Sequence, residues 1–570
     1  MRHLLFILLA FCSFQNYTQA QYKFTKYDLD ASTTASSYPN DMIVFNGKLY
    51  FTAEDAANGR ELWVSDGTTA GTKMLKDIYL GSSSAFDLHA GTYQPGFIIM
   101  GSKLYFSALS GTGGYELWST DGTAAGTQQV IDLYPGTFGS VQAEKIVFNG
   151  KLFINADAGV GASGVGSELY VSDGTSAGTT LLKDLNTNAG MGSAPGNFVI
   201  YNSKLYFSAN SGLSGFGTEL WVSDGTAAGT QMLKDINPGS GSSNPSWGTV
   251  VNGKLLFQAD DGTNGIELWA TDGTAAGTQL VKDIKAGSTG SNPFFVNKSI
   301  VFNNKVYFWA DNKLWISDGT TAGTQNIGPS NLVAPAVASS PFYTPNTFFV
   351  FGGKLYFNGG DNTAPPTDDE LWVTDGTTAG TSMVKNIMPV VVSGLNGSNP
   401  YQFFLYKNKM FFMARADGTT GVQIYTSDGT SAGTKAVTLT GVTTNNKDVD
   451  INSQPVQYDS SMYFVARWGN GDSELWKMKD TSVTYVQTIA SANTFCLYPN
   501  PNKGSFTLQV NNTDFKNGEI RVYDVMGKEI YKAAISNSKL QINLNNAAKG
   551  IYQVKLQLDD AITTKQIMIE

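Results

Sequence analysis

Eight aspartates, Asp66, Asp121, Asp173, Asp224, Asp272, Asp318, Asp375 and Asp428, each open the heptapeptide Asp-Gly-Thr-x-Ala-Gly-Thr. Carboxylates repeated this regularly suggest two chemistries, calcium binding and acid catalysis on a glycosidic bond. Calcium asks for several oxygens from clustered acids, whereas each heptapeptide offers a single carboxylate. Glycoside hydrolysis needs two carboxyl groups flanking one bond, supplied by different loops. The nearest candidates are Asp260-Asp261 and Asp368-Asp369-Glu370, in stretches where adjacent acids ordinarily cap turns. Asp55 and Asp417 stand at the same stage of two other copies, which favours turn chemistry there. The two histidines, His3 and His89, are too few for a histidine metal cluster and make a Ser-His-Asp triad improbable. No Walker loop, HExxH or CxxC pattern occurs.

Within its own repeat the aspartate reads as a turn residue. Asp accepts hydrogen bonds from backbone N–H groups about two residues ahead, Gly takes the left-handed conformation, and Thr hydroxyls tie the loop to its own backbone. The logic resembles that of the Asp-box in sialidase-type propellers, which also sits in a hairpin turn. Calcium remains the functional alternative at these positions, and no other cofactor is expected.

Successive copies stand 46 to 57 residues apart, and a period near fifty is the length of one four-stranded propeller blade. Each heptapeptide follows a strand-like run whose fullest form is Glu-Leu-Trp-Val-Ser, and an eroded ninth copy follows at Glu474-Leu475-Trp476. The aromatic of that run persists as Trp63, Trp118, Tyr170, Trp221, Trp269, Trp315, Trp372, Tyr425 and Trp476. The fifth copy shows four strands: a before Asn252-Gly253, b over Lys254–Ala259, c over Glu267–Thr271, and d over Gln279–Ile284. Asn-Gly is the type I′ hairpin signal, so a pairs with b through a tight turn, and DGTxAGT joins c to d. Strand c alternates, with Leu62 and Val64 on one face and Glu61, Trp63 and Ser65 on the other. Both faces of a blade pack on neighbours, so the recurrent aromatic is expected as core, with sugar stacking the minority role. Lys313 and Gln423 replace the leading Glu in two copies, against a ring of catalytic carboxylates. Lys76-Asp77, Lys183-Asp184 and Lys282-Asp283 on strand d suit an outer edge that must not recruit other chains.

The expected fold is all-β: a single large β-propeller of eight or nine four-stranded blades over residues 21–490, and a C-terminal Ig-like β-sandwich over 491–570. Two smaller rings are the alternative. Lys26-Tyr27-Asp28-Leu29 matches Leu75-Lys76-Asp77-Ile78 and is expected as a strand d that completes the last blade. Residues 1–20, with Arg2, an apolar stretch from Leu4 to Phe11 and a small residue before Gln21, have the layout of a cleavable secretory signal. That stretch is too short to span a bilayer, and no other segment approaches such a length. Removal of the signal leaves Cys496 as the one cysteine and so no intramolecular disulfide. A net charge of -9 disfavours nucleic acid or an anionic membrane as partner.

Two resemblances bear on this organisation. The copies from about Asp41 to Ile489 resemble the ELWxxDGT repeat proteins, a match of architecture that implies no activity. The tail resembles the type A C-terminal sorting domain of the type IX secretion system of Bacteroidota. Its matching residues are Tyr498-Pro499-Asn500-Pro501, Val522-Tyr523-Asp524 to Gly527, Gly550-Ile551-Tyr552 and Lys565-Gln566-Ile567. That resemblance implies the type IX machinery as partner, followed by release or surface attachment. A generic Ig-like binding module is the plainer reading of the same strands.

In a propeller the a–b and c–d turns share one rim and the b–c and d–a connections the other. Here the first rim repeats, while the second varies at Asp157–Ser167, Asn210–Thr218, Asn358–Asp369, Met388–Asn399 and Gly441–Asp450. Differentiated loops on a rigid scaffold are where binding is expected. The leading expectation is a secreted or surface-displayed module that binds a glycan, a matrix component or a neighbouring surface protein. A polysaccharide hydrolase or lyase with carboxylates on the variable rim, and a purely structural surface component, are the alternatives.

Overall fold

The computed structural model describes residues 22–30, 36–86, 95–111, 114–136, 139–159, 166–188, 190–212, 216–294, 299–335, 348–362, 368–389, 397–416, 421–437, 439–440, 449–451, 453–468, 472–481, 495–499, 502–510, 518–524, 528–544, 547–559 and 561–569. The expected leader, His89, Asp417 and most of the longest rim loops lie outside these residues. Among the described residues every regular element is a strand, and no helix is long and apolar enough to cross a membrane. The chain divides into a compact unit Ala20–Asp480 and a second that takes in Thr481–Glu570.

In the first unit, the first sheet orders strand a (Asn40–Phe45), b (Lys48–Asp55), c (Gly59–Ser65) and d (Lys73–Lys76), all antiparallel, with d at the edge. Seven more sheets repeat that order over residues 98–131, 141–183, 196–234, 246–282, 300–326, 332–385 and 401–436. The hairpins between a and b turn as the Asn-Gly signal requires: Asn46 and Gly47 have φ of 46° and 69°, and Asn252 and Gly253 have 48° and 72°.

The ninth sheet takes its last strand from the start of the chain. Tyr22–Tyr27 lies antiparallel to Glu474–Asp480, with Tyr22 opposite Asp480 and Tyr27 opposite Leu475. This is the expected closing strand, but displaced from Lys26–Leu29. In the first sheet the c–d register skips between Leu62 and Trp63, and Leu62 pairs with Lys76. The ninth sheet has no such irregularity, so Tyr27 rather than Lys26 takes the place of Lys76. Leu439–Thr440 pairs in parallel on the outer side of the closing strand.

Apolar clusters join each sheet to the next. Leu62 of the first sheet packs with Phe106 and Trp118 of the second, and Leu169 of the third with Phe207 and Trp221 of the fourth. Leu371 of the seventh packs with Phe412 and Tyr425 of the eighth. The series returns on itself, because Tyr463 and Leu475 of the ninth sheet pack with Phe51 and Trp63 of the first. Strands a of neighbouring sheets lie against one another, as Gly196–Tyr201 does against Ser246–Val251 and Asn40–Phe45 against Val456–Tyr458. Strands a are therefore inside and strands d outside.

The two edges of the sheets differ. The Asn252 amide donates to the carbonyls of Asn304 at 3.0 Å and Asp318 at 3.1 Å, so a–b hairpins and DGTxAGT turns share one edge. On the other edge the b–c and d–a segments meet: the N–H of Glu54 donates to Ser37 O at 2.8 Å and that of Asn210 to Ser193 O at 2.9 Å.

In the second unit, one sheet of Phe495–Tyr498, Ser505–Val510 and Lys539–Asn543 and another of Glu529–Ala534, Gly518–Tyr523, Gly550–Leu558 and Ala561–Ile569 share a core. Phe506, Leu508 and Ile542 from the first meet Val522, Val554 and Ile567 from the second.

The closing strand supplies a test. Phe24 is 1% exposed in the cluster between the eighth and ninth sheets. Phe24→Ala should lower the unfolding free energy by about 3–5 kcal/mol in urea titration, whereas Lys23→Ala, at an exposed position of the same strand, should stay within about 0.5 kcal/mol.

Candidate functional site

The eight aspartates are held by their own turns. Asp66 Oδ1 accepts from the Thr68 N–H at 2.9 Å and the Thr68 hydroxyl at 2.7 Å. Thr68 Oγ1 in turn accepts from the Gly71 N–H at 3.0 Å, and the Thr72 hydroxyl donates to Thr68 O at 2.7 Å. The Asp–Thr pair of bonds repeats at Asp121, Asp173, Asp224, Asp272, Asp318, Asp375 and Asp428. The threonine hydroxyl foremost, with its N–H, holds each carboxyl below the ordinary range. The two glycines answer different constraints. A Cβ at Gly71 would fall inside the Asp66 carboxylate, while one at Gly67, where φ is 85°, would stand 2.8 Å from Tyr463 Oη of the ninth sheet. The same approach recurs at Gly122, 2.5 Å from Tyr50 Oη, and at Gly376, 2.5 Å from Tyr307 Oη.

The other end of the heptapeptide also touches a neighbouring sheet. Strand d lysines, expected as protection for a bare edge, instead reach the next sheet. Lys76 Nζ donates to Thr127 O at 2.6 Å, Lys183 to Thr230 O at 2.5 Å, Lys234 to Thr278 O at 2.5 Å, Lys282 to Thr324 O at 2.9 Å and Lys385 to Thr434 O at 2.5 Å. On the way the ammonium groups of Lys76, Lys234 and Lys282 lie 5.5 to 5.9 Å from the rings of Trp118, Trp269 and Trp315. Trp63, Trp118, Tyr170, Trp221, Trp269, Trp372, Tyr425 and Trp476 are buried, and Trp315 is half-buried. Trp63 stacks on Phe51 and donates its indole N–H to Ala53 O at 2.9 Å.

The glutamate that heads strand c has a role that the sequence reading missed. Glu168 accepts from the N–H groups of Leu185 at 2.9 Å, Asn186 at 3.3 Å and Ser193 at 2.9 Å, and from the Ser193 hydroxyl at 2.6 Å. Glu219, Glu267 and Glu370 hold Ser243, Ser291 and Ser398 in the same way. Glu474 holds Ser37, which ties the ninth sheet to the start of the first. Burial pushes the carboxyls of Glu61, Glu116 and Glu474 up to about 7, against the pull of the hydrogen bonds that they accept. The signal was present as a recurring Ser-x-Pro: Ser37-Tyr38-Pro39, Ser193-Ala194-Pro195, Ser243-Asn244-Pro245, Ser291-Asn292-Pro293 and Ser398-Asn399-Pro400.

The acids weighed for catalysis sit in turns or within strands. Asp260 ends strand b of the fifth sheet and accepts the Gly262 N–H at 2.7 Å; Asp261 accepts those of Thr263 at 2.9 Å and Asn264 at 2.8 Å. Asp55 caps its turn likewise through Ala57 and Asn58. Asp368 and Asp369 are strand rather than loop residues: strand c of the seventh sheet begins at Asp368, opposite Asp361, and Asp369 is buried opposite Gly360. Strand b of that sheet runs on through Gly359 and Gly360, which lets c extend beside it. Asp28, Asp472 and Glu474 form the one group of three acids with oxygens within 4.8 Å among the described residues. Lys26 Nζ already lies among them, 2.5 Å from Asp472 and 3.6 Å from Asp28.

An open cleft lies on the variable edge of the sixth sheet. There b and c are joined by the two-residue hairpin Asp311-Asn312, with φ of 45° and 60°. Lys313 replaces the clamping glutamate, and strand d shrinks to Gln325–Asn326. The result is a cavity of about 300 Å³ lined by Lys285, Asn292, Trp309, Asp311, Asn312 and Ala334 among others. Lys285 Nζ lies 3.2 Å from Asp311 Oδ1, and their side chains are 45% and 38% exposed. Trp309, 1% exposed, stands where strand b elsewhere carries Thr52, Ser107 or Ser208, and it stacks on Phe348 at 6.2 Å. Its indole N–H has no hydrogen-bond partner among the described residues.

Residues 496–570 match the family model of the secretion system C-terminal sorting domain, so the chain carries a sorting domain for export to the outer surface or beyond. No curated protein matches the chain. Among solved structures, a puromycin hydrolase is 10% identical with a TM-score of 0.34, over 76% of this chain and 59% of its own. The tricorn protease is 12% identical with a TM-score of 0.26, over 94% and 62%. The extracellular domain of a putative one component system from B. thetaiotaomicron is 9% identical with a TM-score of 0.24, over 96% and 99%. The chain thus spans about three fifths of the two hydrolytic proteins, and these scores assign it no activity.

The glutamates and aspartates predict opposite pH effects. A carboxyl raised from 4.5 to about 7 in the folded state takes up a proton on folding, so its contribution falls as pH rises through that window and is level above it. The lowered aspartates contribute above about pH 4 and lose that contribution in acid. The melting temperature should therefore peak near pH 5 and be lower at pH 8, and Glu61→Gln should flatten the decline; a melting temperature that rises from pH 5 to pH 8 would contradict this. Gly71→Ala should destabilise the protein by about 1–3 kcal/mol in the same assay, through collision with Asp66.

Proposed function

We propose that this chain is a single closed β-propeller of nine blades that the type IX machinery exports through the C-terminal sorting domain, and that it works outside the cell as a binding module. The leader is residues 1–20, the propeller 21–490 and the sorting sandwich 491–570. Nine sheets, each packed on the next and the ninth on the first, support one ring over two. The ligand site lies on the edge of the b–c and d–a connections. The observation that carries this reading is the contrast between the two edges: the DGTxAGT edge is uniform and its polar groups are committed to turns and to neighbouring sheets, while the opposite edge holds the cleft at Lys285 and Asp311.

Site-directed PEG attachment tests the assignment of the edge. In a Cys496→Ser background, Thr263→Cys places a polymer on the variable edge and Ala124→Cys places one on the turn edge. Binding of the labelled full-length mature protein to arrays of glycans and matrix proteins should be blocked by the first modification and kept by the second. Binding blocked through Ala124→Cys alone, or no binding to either array, would refute the reading.

A further inference from the structure

Resting on that reading, we infer that the notch on the sixth sheet is a subsite for one neutral sugar residue of a glycan. The first argument is that its polar side chains are not committed to the fold. The aspartates in the equivalent turns of the first and fifth sheets, Asp55, Asp260 and Asp261, cap their own backbone. The side chains of Lys285 and Asp311 pair with each other and make no other ion pair or hydrogen bond among the described residues, and those of Asn292 and Asn312 make no hydrogen bond among them. The backbone around them is nonetheless fixed: the Lys285 N–H donates to Glu267 at 3.1 Å, the Asp311 N–H to Ser291 O at 2.9 Å and the Ala334 N–H to Asn312 O at 3.1 Å. One solvent-exposed ion pair and two amides are thus carried on a hydrogen-bonded frame.

The second argument is the kind of group that these four fit. An ammonium offers only donors, a carboxylate only acceptors, and each amide offers both. A hydroxyl is both donor and acceptor, so two neighbouring hydroxyls of a sugar ring can satisfy Lys285 and Asp311 together, at a spacing set by their 3.2 Å separation. The asparagine amides serve further hydroxyls. The lining carries one positive and one negative charge, so an anionic ligand meets Asp311 and a cationic one meets Lys285. Ala334, half-buried, adds an apolar contact suited to the C–H face of a ring, while Trp309 and Ala310 of the lining are buried. The volume, about 300 Å³, is at the lower limit of ligand pockets and suits one residue rather than a chain.

The test uses the full-length mature protein on an array of neutral, uronic-acid-containing and sulfated glycans with unglycosylated peptides as a further set, followed by calorimetric titration of the best neutral oligosaccharide. Neutral glycans should bind, and Lys285→Ala combined with Asp311→Gly should weaken them at least about tenfold, since hydrogen bonds to charged groups are lost. Glycine keeps the φ of position 311, and an ion pair this exposed contributes little to stability, so the melting temperature should be unchanged. Asn292→Gly should weaken binding in the same direction. Equal affinity in wild type and double variant overturns the notch; if Thr263→Cys modification still blocks that binding, the edge assignment survives without it. Preference for acidic glycans, or peptide binding that the double variant abolishes, overturns the neutral sugar. Absence of all glycan binding also overturns it, and the matrix-protein array then decides the broader reading separately.

Discussion

Each sheet of the large unit is apolar on both faces. Leu62 and Val64 point to one neighbour and Trp63 to the other, and a sheet of that kind needs cover on both sides. A linear stack of such sheets would leave two bare faces at its ends. Packing the ninth sheet on the first removes both, and the polar features follow from that arrangement. DGTxAGT turns close over the tyrosines of the preceding sheet, strand d lysines cross to the following one, and each clamped serine fixes the chain at the point where it leaves one sheet for the next. These contacts decide the order and spacing of sheets whose apolar faces alone would accept many partners.

The sixth and eighth sheets show how these features depend on one another. Both lack the glutamate of strand c, with Lys313 and Gln423 in its place, and both have a strand d of two residues. A shortened d cannot carry a lysine to the next turn, and without the glutamate the outgoing chain has no clamp. In each case the outgoing chain pairs elsewhere. Leu332–Val333 pairs with strand b of the seventh sheet, and Leu439–Thr440 lies beside the closing strand. The cleft adjoins the first of these two exceptions, where a short hairpin, a missing clamp and a rerouted connection coincide.

What could be read from the sequence was what neighbouring residues decide. Asn252-Gly253 and Asp272-Gly273-Thr274 determine their turns through their own conformational preferences, so hairpins, strand order and the turn role of the aspartates were legible. Alternation along Glu-Leu-Trp-Val-Ser told which face each side chain takes, and a strand d that precedes any a, b or c told where the ring closes. The clamp was missed, because Glu and the loop that donates to it stand 17 to 28 residues apart across connections of unequal length, and the recurring Ser-x-Pro alone marks it. Lys76 looked like an edge residue because its partner, Thr127, belongs to the next repeat. Asp368 and Asp369 looked like loop acids because the glycines at 359 and 360 hid the continuation of strand b. The Asp311-Asn312 hairpin is visible in the sequence, but the space above it depends on two connections from other repeats.

The closing strand pairs residue 22 with residue 480, directly before the unit that contains the sorting domain. The ring therefore cannot be locked until its last sheet has been made, and the export tag follows only 16 residues later, at 496. A chain cut short by a premature stop or by proteolysis anywhere in the repeats loses the partner of its first strand and its means of leaving the cell together. Closure of the first unit and export thus draw on neighbouring stretches at the same end of the chain.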